Sequence, residues 1–232
     1  MRAIAARRIV DDMTINDSKT NPATHTRVWS RVFAGVYDPS LWIGERAAMR
    51  RYRRDLLAQA RGRTLEIGSG TGLNLTHYPN DLEGLVLSEP EPAMRRRLEK
   101  AVRRSRPDAQ VIGAGAQQLP FADATFDTVV STLVLCTVDA PDAALREIGR
   151  VLRPGGRLLF IEHVRSDSPM LARWQDRLER PWQRFAEGCR CNRATLELMD
   201  ACGFEHHARP ATWRLMPPIV RPLVIGQATI TQ

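Results

Sequence analysis

Short apolar runs alternate with amphipathic stretches along most of the chain, and this rhythm predicts the elements. Runs at 64–67, 84–88, 109–114, 126–131 and 157–163 read as strands, with two more near 203–208 and 220–227. Between them lie stretches of helical spacing. One spans 92–105. Another spans 141–152, where Leu145, Ile148, Val151 and Leu152 share a face after Pro141, and Arg153, Pro154, Gly155 and Gly156 stop the run. A short helix is expected from about Leu73, closed by Tyr78, Pro79 and Asn80, and another over 193–201. Ahead of the first strand, Trp29, Val32, Phe33 and Val36 recur at helical spacing. Tyr37, Asp38, Pro39 and Ser40 break that helix, and a second runs from about Leu41 to Ala60 with its arginines on the wet side.

Strands alternating with helices in this way imply an α/β fold, a Rossmann-like doubly wound parallel sheet with helices on both faces. Right-handed crossovers put the carboxyl ends of the strands along one edge, where such sheets bind ligands. That edge would carry residues 66–72, Glu89, 115–118, 131–133 and His163. Residues 164–192 interrupt the alternation with Trp174, Trp182 and Phe185 and read as a helical insertion over the edge. The organisation expected is a polar, poorly ordered tail over 1–20 and one domain over 21–232, with a helical cap over 21–60.

The segment from Thr64 to Gly72 carries the first chemistry. An apolar strand with an acid, Glu66, runs into Gly68, Gly70 and Gly72 in the order G-x-G-x-G. Glycine accepts positive φ and lets a ligand approach bare backbone, and amides at a helix start are ready donors. A dinucleotide site would show G-x-G-x-x-G. Here Glu66 precedes the first glycine by two residues, where it would repel a pyrophosphate but welcome a cation. S-adenosylmethionine carries a sulfonium and an ammonium. A second acid, Glu89, ends the next apolar run 21 residues after Gly68, well placed to take both hydroxyls of a ribose.

Composition narrows this picture. The chain has 232 residues, 43% of them hydrophobic, enough for one large core. No run approaches the roughly 18 apolar residues of a membrane span, and Met1 to Asp12 lack the apolar stretch of a signal peptide. Met13 offers a second possible start. The net charge of +8 invites a nucleic-acid reading. All but two of the 34 basic residues are arginine, however, and they are interleaved with acids, as on solvated helix faces. An Asn-Pro-Pro-Tyr-type motif for gripping a flipped amino base does not follow the fourth strand, which ends in Ser131, Thr132 and Leu133. Cys136 reads as core, and Cys189 and Cys191 do not form a C-x-x-C pair. A cytoplasmic protein with free thiols and no metal site is expected.

Taken together, the segment from Glu66 to Gly72, Glu89, Leu119-Pro120-Phe121 ahead of Phe126-Asp127, and the run from Leu152 to Gly156 resemble the class I S-adenosylmethionine-dependent methyltransferases, methyltransferase type 11 group. The runs from Ser131 to Val138 and from Arg150 to Gly156 look most like the methyltransferase-like 7, or alkyl thiol methyltransferase, group. Phe160 to Val164, Trp174, Trp182 and the Gly188-Cys189 run into Arg193 extend that likeness. The resemblance implies a seven-stranded sheet whose last strand is antiparallel. It implies that Glu66, Gly68, Ser69, Gly70, Gly72 and Asn74 hold the methionine end of S-adenosylmethionine, with Glu89 and Pro90 at the ribose. Ala116 and Gln117 would border the adenine, Thr132 and Leu133 would complete the site, and S-adenosylhomocysteine would be the product. Many members carry an aspartate where Gly115 stands. Animal members begin with a hydrophobic anchor that this chain does not show, so a soluble enzyme, or one in peripheral contact with a membrane, is expected.

Methyl transfer from a sulfonium is an in-line displacement that mainly needs alignment in a dry pocket. A cysteine-like thiol acceptor (pKa about 8.5) ionises usefully by itself, whereas an amine or phenol gains more from a base. His163, at the tip of the fifth strand, is the candidate base or else a packed structural residue. Tyr37 is a candidate to close over the cofactor or else a plain core tyrosine. The Trp174 and Trp182 pair is equally suited to core or pocket wall and points to a hydrophobic small acceptor, a thiol or a lipid- or quinone-like molecule. A cofactor-binding protein without catalysis and an RNA methyltransferase are the alternatives.

Overall fold

The structure, a computed structural model, describes residues 48–230. The tail over 1–20, the helix before Tyr37, and Tyr37 itself lie outside the described residues. Helix α1 (Arg50–Leu57) is the described part of the expected cap. The chain then continues through β1 (Arg63–Ile67), β2 (Gly84–Ser88), α2 (Pro92–Ser105), β3 (Gln110–Ile112), β4 (Phe126–Thr132) and α3 (Pro141–Val151). After these come β5 (Leu152–His163), α4 (Pro169–Phe185), α5 (Thr195–Ala201), β6 (Phe204–Thr212) and β7 (Pro222–Ile230).

The strands form one sheet in the order β3-β2-β1-β4-β5-β7-β6. Pairing is parallel from β3 through to β5. β7 runs antiparallel to both β5 and β6, with Leu158 opposite Ala228 and His163 opposite Leu223. The expected architecture, antiparallel last strand included, is the one observed.

Strand alternation sorts the core into two layers. Leu65, Ile67, Val129 and Phe160 face α3 and α5, packing with Leu145, Ile148 and Met199. Leu85, Leu87, Val130, Leu159 and Ile161 face α1 and α2, packing with Leu57 and Leu98. The central strands β1, β2, β4 and the second half of β5 are buried on both faces, which is why they read as largely apolar runs, whereas the edge strand β6 is mostly exposed.

Three expectations change. The segment after Gly72 does not form the short α-helix expected from Leu73; it makes a 3-10 turn, Leu75–His77. Asn74, which could have capped a helix, turns its side chain inward to Glu66 and Thr132, and Pro79 closes the segment within a turn of chain. The strand expected over 109–114 shortens to Gln110–Ile112, which pairs with Val86, Leu87 and Ser88 at the carboxyl end of β2. The fifth strand begins earlier than expected, at Leu152, which pairs with Phe126 before a register shift. Arg153, Pro154, Gly155 and Gly156 therefore end α3 by bulging out of β5, with Gly155 at φ +74.

Candidate functional site

The carboxyl ends of β1 and β2 build the first half of the site. β1 runs into Gly68, Gly70 and Gly72, at φ +55, +56 and +93. The three glycines do different jobs. A Cβ on Gly68 would stand 2.6 Å from Val134, and one on Gly72 would stand 2.8 Å from Leu75, so both let the turn pack closely. A Cβ on Gly70 would meet nothing within 4 Å. Gly70 is thus the point where the turn presents bare backbone to open space.

The amides of the turn are not left free as a helix start would leave them. Ser69 N–H donates to Ser88 O at 2.9 Å, and Gly72 N–H donates to Ser69 O at 3.0 Å. Gly70 N–H donates to Glu89 Oε2 at 2.8 Å, and Glu91 N–H donates to Glu89 Oε1 at 2.8 Å. Glu89 is buried, and burial raises its pKa. Pro90 beside it is exposed, and Arg95 holds the backbone there through the carbonyls of Glu89 and Pro90.

Under the turn, Glu66 is the centre of a buried polar network. Its Oε1 accepts from Asn74 Nδ2 at 2.8 Å and its Oε2 from Tyr78 Oη–H at 2.7 Å. Asn74 also donates to Thr132 Oγ1 at 2.9 Å. Arg53, reaching in from α1, donates to Asn74 Oδ1 at 2.8 Å. Burial pushes the Glu66 carboxyl up to about 7, against the opposing pull of its donors and of Arg53. The group therefore changes charge near neutral pH. Of these, Glu66, Asn74 and Thr132 are legible as site residues; Arg53 and Tyr78 are additions from the structure. Ala116 is buried behind the same edge, and Gln117 is exposed beside Gly115.

The second half of the edge follows β4 and β5. Leu133 leaves β4 with φ +62, a left-handed conformation unusual for a side-chain-bearing residue, and its N–H donates to Ile161 O at 2.8 Å. What holds this loop is Glu162, fully buried on β5. It accepts from Ser131 Oγ–H at 2.6 Å and from the N–H groups of Val134, Leu135 and Cys136 at 3.0–3.2 Å. Arg193 adds a bond to Leu135 O. Cys136 and Cys189 lie with their sulfurs 4.0 Å apart in a small cluster with Cys191, Ile219 and Val220. Glu162 and Arg193 escaped the sequence reading as positioning residues; an acid in the middle of an apolar strand was the signal for the first.

His163 ends β5 as expected, but in closed surroundings. Its ring stacks on Trp213 with centroids 5.7 Å apart, it faces the backbone at Pro222 and Val220, and its Nδ1 is buried without a hydrogen-bond partner. Burial pushes its pKa down to about 4, so the ring is neutral at pH 7 and a weaker base than a free histidine. Among the described residues, then, each carboxylate of the edge already holds two or more donors, and its imidazole is a weak base.

An open glycine backbone between two buried acids fits a cofactor that carries positive charge and hydroxyl groups. Comparison with known proteins gives the same direction. A methyltransferase domain family matches residues 65–160. The human thiol S-methyltransferase TMT1A is 35% identical over 173 residues, which cover 71% of this chain and 69% of that protein. A phosphatidylethanolamine N-methyltransferase of Cereibacter sphaeroides is 31% identical over 146 residues, covering 62% of this chain and 71% of the relative. Among solved structures, a Thermotoga maritima S-adenosylmethionine-dependent methyltransferase superposes with a TM-score of 0.65 at 22% identity, covering 89% of this chain and 100% of the other. That last likeness is one of fold.

Proposed function

Because the chain belongs to the class I S-adenosylmethionine-dependent methyltransferases, close to the thiol methyltransferases, we propose that it methylates a small hydrophobic acceptor, a thiol in the first place. S-adenosylmethionine supplies an electrophilic methyl group on a sulfonium and leaves as neutral S-adenosylhomocysteine. The protein's own residues have to bind, align and exclude water. Glu66, Gly68, Ser69, Gly70, Gly72 and Asn74 take the methionine end. Glu66 supplies negative charge beneath the turn, and Gly70 presents the surface. Glu89, with Pro90, takes the ribose, exchanging its bond to Gly70 for the two hydroxyls. Ala116 and Gln117 border the adenine, and Thr132 and Leu133 form the floor between cofactor and acceptor. Tyr37, outside the described residues, is proposed to close over the cofactor.

The observation that carries the thiol is the lack of a strong free base among the described groups of this edge. His163 is a weak one, near 4, and Glu162 is saturated with donors. A cysteine-like thiol, with a pKa of about 8.5, is a few per cent thiolate at neutral pH without help from a base. The sulfur–carbon bond then forms as the sulfonium–carbon bond breaks, and the thiol proton goes to solvent. A phosphatidylethanolamine amine or a quinol is the second acceptor class, supported by the bacterial N-methyltransferase relative.

The test is a panel assay. The protein is incubated with methyl-labelled S-adenosylmethionine and alkyl thiols, phenols, quinols, phosphatidylethanolamine or RNA. Label in the thiol products is the expected result. Label only in phosphatidylethanolamine or quinol replaces the thiol with the second class, and label only in RNA sinks the small-molecule reading. Tight cofactor binding with no transfer to any acceptor would mean a binding protein instead.

A further inference from the structure

Helix α4 has an outer face with a division of labour that its inner face does not need. Inward, Leu171, Leu178 and Trp182 pack on Ile219, Val220 and Cys189. Gln175, fully buried, donates to the carbonyls of Val164, Cys191 and Ile219 and accepts from Ser166 N–H. These contacts pin the helix directly after β5, over the carboxyl edge of the sheet. Outward, Met170, Trp174, Pro181 and Phe185 recur at spacings of four, seven and four and so form one stripe. Three of them are widely exposed for apolar side chains: Met170 at 71%, Trp174 at 51% and Phe185 at 57%.

Alongside this stripe runs a second one of Arg173, Arg177, Arg180 and Arg184, all exposed. The two acids of the helix, Asp176 and Glu179, fall on the far side of the arginines from the apolar stripe. Asp176 is engaged by Arg165 and Asn192. Among the described residues of the helix, therefore, the sector from Met170 round to Arg180 is apolar and cationic with no acid in it.

We propose that this face of α4 docks the enzyme on an anionic lipid bilayer. Charge complementarity selects that occupant. Guanidinium groups pair with phosphate and carboxylate headgroups while Trp, Met and Phe enter the acyl boundary beside them, the arrangement of an interfacial helix. A second copy of the chain would set four arginines against four. A nucleic acid would use the arginines but leave Met170 and Phe185 in water. The inference rests on the hydrophobic-acceptor reading for its purpose: α4 lies over the edge that binds the cofactor, so docking would bring that edge to the phase where apolar acceptors dissolve.

The test uses the full chain and needs no catalysis. Binding is measured by sedimentation with vesicles of phosphatidylcholine alone and of phosphatidylcholine with phosphatidylglycerol. Insertion is read as quenching of tryptophan fluorescence by brominated acyl chains. At least tenfold tighter binding to the anionic vesicles is expected, weakened by high salt. Trp174→Phe should remove most of the quenching, and Arg177→Glu with Arg184→Glu should reduce binding at least tenfold, both with unchanged thermal unfolding. Equal binding to both vesicles, quenching that survives Trp174→Phe, or a stable dimer lost in Trp174→Phe would overturn the proposal. So would RNA binding that displaces the vesicles. Shielding of Trp174 from acrylamide in the free protein would overturn it too, by assigning the face to residues 1–47 of the same chain. Failure of vesicle binding leaves thiol methylation standing, and failure of methylation leaves the docking standing.

Discussion

The two halves of the carboxyl edge are built on different principles. The turn between β1 and β2 is local: Gly70 meets Glu89 19 residues away, and Glu66 meets Asn74 and Tyr78 at separations of 8 and 12. The half after β4 and β5 is held from a distance. Arg193 reaches Leu135 across 58 residues, Cys189 meets Cys136 across 53, and Gln175 reaches Ile219 across 44. The first half is a backbone cradle that nearby residues shape, suited to a ligand common to the whole family. The second is a tertiary assembly, held by residues that come much later in the chain. The difference teaches that binding and stability should separate when the two halves are perturbed in turn.

The largest effect is expected at Glu162. Replacement by Ala strands the Ser131 hydroxyl and three backbone N–H groups in a buried site, which should cost about 3–5 kcal/mol in guanidinium unfolding. A loss below about 1 kcal/mol would mean that the distant contacts alone hold that half. Next comes Glu89→Ala, which should weaken S-adenosylmethionine binding about a hundredfold by calorimetry while leaving the unfolding midpoint nearly in place. Unchanged affinity would remove Glu89 from the ribose.

Gly70→Ala should cost about 1–2 kcal/mol for its left-handed backbone. Gly68→Ala should cost more, since its Cβ also collides with Val134. The reverse order would contradict the division of labour in the turn.

Titration gives a smaller effect with opposite signs in the two halves. Glu66, raised to about 7 by burial, binds more protons folded than unfolded, so its contribution to stability is present at low pH and fades as pH rises through 7. Cofactor affinity should rise over the same range, about tenfold between pH 6 and 8, and Glu66→Gln should flatten that rise. His163, lowered to about 4, does the opposite for stability: its contribution is complete above about 6.5 and is lost as pH falls to 4. The smallest change is expected for turnover of a thiol by His163→Gln, within about threefold and with the same pH profile. Loss of the acid limb of the profile, where a histidine base would be protonated, would reinstate the histidine as a base.

The same contrast explains what could be read from the sequence. The half after β1 and β2 was legible as a cluster because glycines and acids at short spacing state their chemistry locally; Gly68, Gly70, Gly72, Glu66 and Glu89 all stand together on that edge. The segment after Gly72 misled because the glycine turn reads as the opening of a helix, whereas the Asn74 side chain turns inward to Glu66 and Thr132. Arg53 and Arg193 looked like any other arginine in a chain rich in them, and only their buried acceptors distinguish them. His163 was legible in place, as a candidate base or a packed residue, but its ring partner was not, since Trp213 lies 50 residues further on.

The last strand in the chain is not the last in the sheet. β7 sits between β5 and β6, so neither β6 nor the antiparallel half can join until β7 has been synthesised. On the ribosome, the strands from β1 to β5 can pair as they emerge, while β5 waits with an unpaired edge and with Phe160 and Ile161 in its middle. Such an edge is a template for aggregation. A shortened chain that stops before Pro222 should therefore precipitate rather than fold, although every residue of the glycine cradle would be present in it.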